Sequence, residues 1–584
     1  MDALQPNDKQ AAPLAGPADP LAAQAACRVA AWHILVLTGT CLLLFLLKTG
    51  SLPLADPEEA RCALVVRDML QGGHWLVPHL QGKPYFDKPA PFFWLAAAAT
   101  RLTGSAELGG RLIAALAALL AVLVTYAFAR RVFGGGLAGL LAGLVLATSG
   151  EFLFMARWYR MDMPFTAAMW AAVWWFWRYE DRRLPGQPCG KTATWLGFYL
   201  LAAAAVLFKG PAGLALPSLA LVGYFLLSRQ YRRIVEFLSL PGIAAFLLVA
   251  APWYVAVSLA EPNYAREFFL RQNIGRFTGS GDLGHGWPGI LYVPIILAGM
   301  APWTIFLPGI AIRYFPRRWK KRNDQPAWMF LWLCALAWLV FFSLSGTKLA
   351  SYVLPVFPPL AVLVGGLLAS WIASSQTDAL IDRGARAITV TVLFLPAVPL
   401  TMELWLRTDS AWLAVPFVIA TSGFVAMLYA IKHRRRGRLV GLAAAVMAGI
   451  FVYLILRVAP AGYERMSTRD IVRSVDASAL RAGRFSFCPK SKLSFLFYAG
   501  MDDAPAFHDA EQTGPGSLSE WLRSNRPRWC LVSGRDHLSE LRNSCPDGFR
   551  VVAAKGDSWL IANDIAAPVS AASGPAGLPT ESGK

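Results

Sequence analysis

An α-helical polytopic membrane protein of about thirteen spanning helices, with a small α/β domain at its C-terminal end, is the fold this sequence predicts. Three observations predict it. Hydrophobic residues make up 56% of the 584 positions and charged residues only 16%, with a mean hydropathy of +0.45. Soluble proteins carry nearer a quarter charged residues, so lipid must cover much of this chain. Apolar runs of near-spanning length recur between residues 30 and 459. The net charge of +19 falls in short clusters between those runs. A nucleic-acid partner would call for one continuous basic face, so this pattern argues against one. The positive-inside rule explains the same charge.

The elements follow in chain order. Residues 1–29 are rich in Ala, Pro and polar residues and read as a flexible cytoplasmic leader. A signal peptide would start with charge and an apolar run, which are missing here. Apolar runs at 30–50, 107–130, 135–153, 161–178, 193–208, 211–228, 239–260, 287–312, 327–344, 351–373, 387–405, 411–431 and 439–457 read as spans of a membrane domain over 30–459. With a cytoplasmic N-terminus, the cytoplasmic loops hold Arg130-Arg131, Arg178 to Lys191, Arg229 to Arg233, Arg313 to Arg322, Arg383 to Arg386 and Lys432 to Arg438. Every alternate loop then obeys the rule, and the tail lies outside. The larger outside loops are 51–106 and 261–286. Residues 460–564 mix short alternating runs (RFSFCPK, FLFYAG, RWCLVSG, FRVVAAK, SWLIAN) with a helical SLSEWLRSN, as in a small extracytoplasmic α/β domain. Residues 565–584 are rich in Ala, Gly, Ser and Pro and read as disordered. The membrane cysteines lack metal-ligand spacing. In the tail, a Cys530–Cys545 disulfide and three unpaired thiols are both open readings.

Charge close to hydrocarbon is costly, so charges kept in the outside loops mark chemistry. The first outside loop carries Asp56, Glu58, Glu59 and Arg61 at the start of a helix expected to lie along the membrane surface. Lys83, Tyr85, Asp87 and Lys88 follow on a proline-stiffened segment, GKPYFDKPAP. ARWYRMDMP places Arg157, Arg160 and Asp162 at the start of the fourth span. FKGPAG puts Lys209 in a short turn, and RQNIGRFTGSGDLGHGWP carries Arg276, Asp282 and His285. SGTKLASYVLP adds Lys348 and Tyr352. Any one of these could be an interfacial anchor or an ion pair closing a loop. Together they suit a phosphate reaction, because lysine and arginine hold an anionic leaving group and a carboxylate activates or orients an acceptor.

At these residues the chain resembles the bacterial aminoarabinose transferases of lipid A and, more distantly, the protein O-mannosyltransferases. Both are GT-C-type membrane glycosyltransferases. The resemblance runs through EEARCALVVRDML at 58–70, HWLVPHL at 74–80, PYFDKP at 84–89, KGPAG at 209–213, the N-x-x-R-F segment at 273–277 and TKLASYVLP at 347–355. It covers roughly residues 30–460, and such transferases often carry an outside C-terminal domain. It implies a polyprenyl-phosphate-linked sugar donor and a lipid or glycan acceptor. Transfer would take place with inversion on the periplasmic face of the bacterial inner membrane. By position, the catalytic acids are Glu58 or Asp56 and Asp162. Arg61, Lys83, Tyr85, Lys88, Lys209, Lys348 and Tyr352 would bind substrate, and Asp87 and His285 could hold a divalent metal. The family's first acid is Asp where this chain has Glu58, and its following tyrosine is Cys62. Rival readings are a GT-C enzyme that glycosylates protein, a secondary transporter and a scaffold displaying the tail.

Overall fold

A computed structural model describes residues 20–180, 191–279, 288–315, 326–406, 412, 414–475, 480, 483–507, 517–546 and 548–566. The apolar runs are helices, as they must be where no water is at hand to bond the backbone. In order, the first are α1 (Pro20–Leu46), α2 (Glu58–Gly72), α3 (Ala90–Thr103), α4 (Ala106–Val132), α5 (Gly136–Ala147), α6 (Gly150–Ala156), α7 (Asp162–Glu180), α8 (Lys191–Lys209) and α9 (Ala212–Leu227). Helix α1 starts at Pro20, inside the stretch expected to be leader. Among the described residues nine helices are long and apolar enough to cross a membrane, or eleven if each of two bent pairs is one span. Helices α7 and α9 stand at the other two expected spans. Charged ends together with four tryptophans lower the hydropathy of α7, and α9 is only 16 residues long, which keeps both outside that set.

The bends have local causes. Helices α5 and α6 meet at 71° across Thr148 and Ser149. Both hydroxyls donate back to carbonyls four residues earlier, Leu144 at 2.6 Å and Val145 at 2.7 Å, a pattern that bends helices. The indole of Trp303 donates to Thr148 Oγ1 at 3.0 Å and braces the break. The second pair, Gly289–Gly299 and Trp303–Tyr314, turns through 108° at Pro302, which has no N–H to continue the ladder. The expected span at 287–312 is therefore broken by a sharp bend.

Small residues let the helices approach closely, as lipid-embedded packing requires. A Cβ on Gly365, in the helix Phe357–Ala373, would lie 2.5 Å from the Ala142 backbone nitrogen of α5. Gly365→Val is expected to lower the thermal midpoint of the detergent-solubilised protein, at a cost of about 1–3 kcal/mol for overpacking. An unchanged midpoint in a fluorescence melt would show the two backbones are not in contact. The bundle interior is aromatic: Phe128 stacks on Trp170 at 5.0 Å and Trp177 on Phe330 at 5.2 Å.

Alternate loops gather at opposite ends of the bundle. At one end Arg313 pairs with Asp378 at 3.2 Å, and Arg436 donates to the Trp371 carbonyl at 2.7 Å. The other end holds α2, a short hairpin of β1 (His79–Leu80) and β2 (Lys83–Pro84), α3 and the tail. Helix α3 stands in a stretch expected to be loop. Helix α2 is covered on its apolar face: Cys62, Leu64, Val65, Val66 and Met69 are buried, in one apolar cluster with α3 and the tail.

The tail is a four-stranded sheet in the order β3 (Arg484–Cys488), β4 (Arg528–Ser533), β6 (Ser558–Ala562), β5 (Arg550–Lys555). The β3–β4 pair is parallel and the other two pairs are antiparallel. FLFYAG, expected to alternate like a strand, belongs to a helix over Leu493–Ala499 with Phe495, Leu496 and Ala499 buried. Cys530 and Cys545 are free and buried, so the disulfide is not formed.

This tail helix is held at both ends by the α2 region. The Asp56 carboxylate accepts from the Ser494 amide at 2.8 Å and from the Ser494 hydroxyl. Arg67 donates to the carbonyls of Leu496, Phe497 and Met501 at 3.0, 3.2 and 2.5 Å. A carboxylate at the amino end and a guanidinium at the carboxyl end both complement the helix dipole.

Candidate functional site

The first turn of α2 presents two adjacent acids in different surroundings. Glu59 is fully buried and clasped by Arg111, whose Nε donates to Oε1 at 2.9 Å and NH2 to Oε2 at 2.5 Å. Arg111 also donates to the carbonyls of Thr49, Leu52 and Pro53, while Glu59 accepts from the amides of Ala55 and Tyr159. Nothing is left over for a substrate. Glu58, one residue earlier, keeps 32% of its side chain exposed.

From Glu58 a chain of ion pairs crosses four segments. Its Oε1 meets Arg61 NH1 at 3.1 Å and its Oε2 lies 3.8 Å from Arg160 Nε. Arg160 Nε is 3.0 Å from Asp162 Oδ2, and Asp162 Oδ1 accepts from Lys209 Nζ at 2.6 Å. The Lys209 ammonium stands 4.6 Å from the Tyr352 ring centroid and 5.1 Å from that of Phe165. Asp162 opens α7 and Lys209 closes α8, so the neighbouring helix ends put this pair together.

A second cluster adjoins the first through Arg61, which lies in the field of both Glu58 and Asp87. The hairpin turns at Gln81 and Gly82, both at positive φ, and delivers the PYFDKP segment to the site. Asp87 Oδ1 pairs with Lys88 at 3.1 Å and with Arg276 at 3.0 Å, and Tyr85 donates to Oδ2 at 3.2 Å. Burial alone would push the Asp87 carboxyl up, but Lys88, Arg276 and Arg61 outweigh it and hold it down to about 2. A cavity of about 1040 Å³ opens beside the cluster, lined in part by Arg61, Tyr85, Asp87, Arg266, Arg271 and Arg276.

The expected site residues thus divide. Glu58, Arg61, Tyr85, Asp87, Lys88, Asp162, Lys209 and Tyr352 come together. Asp56 is engaged by the tail helix. Lys83 is exposed on β2, outside the ion-pair cluster. Lys348 is buried and donates to the Ser345 carbonyl at 2.6 Å. His285 and Asp282 lie outside the described residues. Of the expected metal pair, only Asp87 lies among the described residues, and its Oδ1 is shared by Lys88 and Arg276. Arg160 and Arg276 are central to the cluster, and the sequence placed them on this face without a role. Arg266 and Arg271, in the cavity wall, were missed, because a run at 266–275 without an apolar stripe gives no sign of lining anything.

The family model "Dolichyl-phosphate-mannose-protein mannosyltransferase" matches residues 87–255. A relative from Pseudomonas fluorescens (strain Pf0-1), named undecaprenyl phosphate-alpha-4-amino-4-deoxy-L-arabinose arabinosyl transferase 1, is 29% identical over 434 residues, 71% of this chain and 74% of that protein. A transferase of the same description from Pseudomonas aeruginosa (strain LESB58) is 33% identical over 58% of this chain and 60% of its own length. The fold matches that of ArnT from Cupriavidus metallidurans, solved with undecaprenyl phosphate bound. The TM-score is 0.74 and the identity 22%, over 92% of this chain and 99% of that one.

Proposed function

We propose, on the premise that this chain is a GT-C-type membrane protein resembling the lipid A aminoarabinose transferases, that it is a glycosyltransferase. It moves a sugar from a polyprenyl-phosphate donor to lipid A or another envelope lipid or glycan, on the extracytoplasmic face of the bacterial inner membrane. One observation carries the reading. Among the described residues, five cations (Arg61, Lys88, Arg160, Lys209 and Arg276) pair with only three carboxylates (Glu58, Asp87 and Asp162) at one end of the bundle. The two surplus positive charges suit a lipid phosphate docking where spans and loops meet.

In this reading Lys88, Lys209 and Arg276 receive the donor phosphate. As the bond from the anomeric carbon to the phosphate oxygen breaks, its electron pair moves onto that phosphate, and cations already in place stabilise it. The acceptor oxygen attacks from the opposite side and the sugar inverts. Asp162 aims Arg160 and Lys209 rather than taking a proton. Glu58, the more open acid, orients the acceptor, and takes its proton if the acceptor is a hydroxyl. Arg266 and Arg271 suit an acceptor that carries phosphate of its own.

The test is transfer of radiolabelled sugar from polyprenyl phosphate to extracted envelope lipid by the protein in liposomes. Solute counterflow without a covalent product would favour a transporter, and label appearing on protein would favour the protein glycosyltransferase. The same assay separates the two candidate acids. Glu58→Gln is expected to lose about 10²-fold or more in rate. Asp56→Asn is expected to keep transfer within a few-fold while exposing the tail to protease. The opposite ranking would reverse the assignment.

A further inference from the structure

Away from the ion-pair cluster, at the far end of α2, lies a group of side chains that the transfer reaction does not use. Asp68 stands on the last turn of α2, His74 just beyond it and His79 on β1. One ligand atom from each lies within 4.8 Å of the other two. The chain is built to bring them there. Gly73 takes φ +75°, which reverses the backbone after the helix, and a Cβ on Gly72 would sit 2.9 Å from His74 Nδ1. The two imidazoles are tilted by 33° to each other, with centroids 4.0 Å apart. His74 Nδ1 is 2.8 Å from Asp68 Oδ2.

We propose that Asp68, His74 and His79 form a divalent-cation site that takes zinc. His79 Nδ1 is 2.9 Å from the Val77 carbonyl, which can only accept, so that nitrogen carries the proton and Nε2 is left with its lone pair. Metal-bound histidines are typically oriented in this way by a second hydrogen bond. Two imidazoles and one carboxylate are a zinc donor set, with a fourth position for water. Zinc bonds of about 2.0–2.1 Å at tetrahedral angles need ligand atoms about 3.4 Å apart. The closing movement falls to His74, whose side chain is 45% exposed. Asp87 is a separate matter, since its carboxylate is held by Lys88 and Arg276.

The position gives the ion a consequence. His79 pairs in register with Pro84, and the Tyr85 amide donates to the Pro78 carbonyl at 2.7 Å. A cation joining Asp68 to His79 would therefore pin the hairpin that leads to Tyr85, Asp87 and Lys88 against the end of α2. The site stands on its own residues and does not depend on the proposed transfer activity.

The experiment uses the tag-free full-length protein in detergent, stripped with chelator, loaded with zinc and freed of excess by gel filtration. Metal content is then read by mass spectrometry. Wild type and Asp87→Asn are expected to retain one equivalent, and His74→Gln/His79→Gln to bind about tenfold or more weakly. Cobalt in place of zinc should give the visible bands of a four-coordinate ion in wild type and Asp87→Asn, and not in the double variant. Zinc should slow amide exchange across 73–84 in wild type and leave it unchanged in the double variant. Equal zinc in wild type and the double variant, or no zinc in either, overturns the site. Zinc bound without slower exchange overturns the pinning of the hairpin.

Discussion

Replacing Lys209 with alanine is expected to slow sugar transfer by about 10²–10³-fold, the cost of removing one placed charge from a developing anion. The side chain is reached from few directions: its ammonium touches Asp162 at 2.6 Å and faces the ring of Tyr352. The loss has two possible origins, because Asp162 is buried and would be left, among the described residues, with Arg160 as its one paired cation. The double variant Lys209→Met/Asp162→Asn separates them. If the lysine serves only to neutralise Asp162, removing both charges restores the rate. If it receives the donor phosphate, the double variant folds, melts near wild type and remains slow, with donor binding weakened. Wild-type turnover in Lys209→Ala, or rescue in the double variant, would remove Lys209 from the phosphate site.

The largest effect on stability is expected one residue from the proposed acceptor-orienting acid. Glu59→Gln leaves the Arg111 guanidinium uncompensated at a site with no exposure, and Arg111→Met does the same to the carboxylate. Breaking a buried pair from one side costs about 3–5 kcal/mol, a large share of a typical protein's stability. The pair joins the loop after α1, the start of α2, α4 and the segment ahead of Arg160. Each single variant should therefore show a lower thermal midpoint and reduced recovery of folded protein. Glu58→Gln should melt like wild type and fail in turnover. In a double-mutant cycle, Glu59→Gln/Arg111→Met should lose less than the sum of its parts. Additive losses would mean that the two side chains do not interact.

The membrane architecture was legible because hydrocarbon imposes one rule on every segment: bond the backbone internally and keep charge at the ends. The site's location was legible for the same reason, since Asp162 and Lys209 stand at helix ends that alternate loops bring to one face. The partners were not. Glu59 and Arg111 are 52 positions apart, and Asp56 and Ser494 are 438 apart; no local pattern couples them. Two adjacent acids look alike in sequence, and only burial assigns one to the scaffold and leaves the other facing the opening. Helix α3 was missed because 14 residues are too few to span and Pro89 and Pro91 suggest a loop. The bends were hidden because hydropathy averages over a window and does not register a hydroxyl bonding back to its own helix.

Helix α2 carries Glu58 and Arg61 at one end and is tied along its length to the helix at Leu493–Ala499, through Asp56 ahead of it and Arg67 within it. The appendage is thus a splint for the end that bears the candidate site. A chain shortened before Leu493 would release two charged grips into solvent and leave α2 braced from one side alone. The acid and guanidinium it carries would then swing with it, and the distances that make them useful would no longer hold.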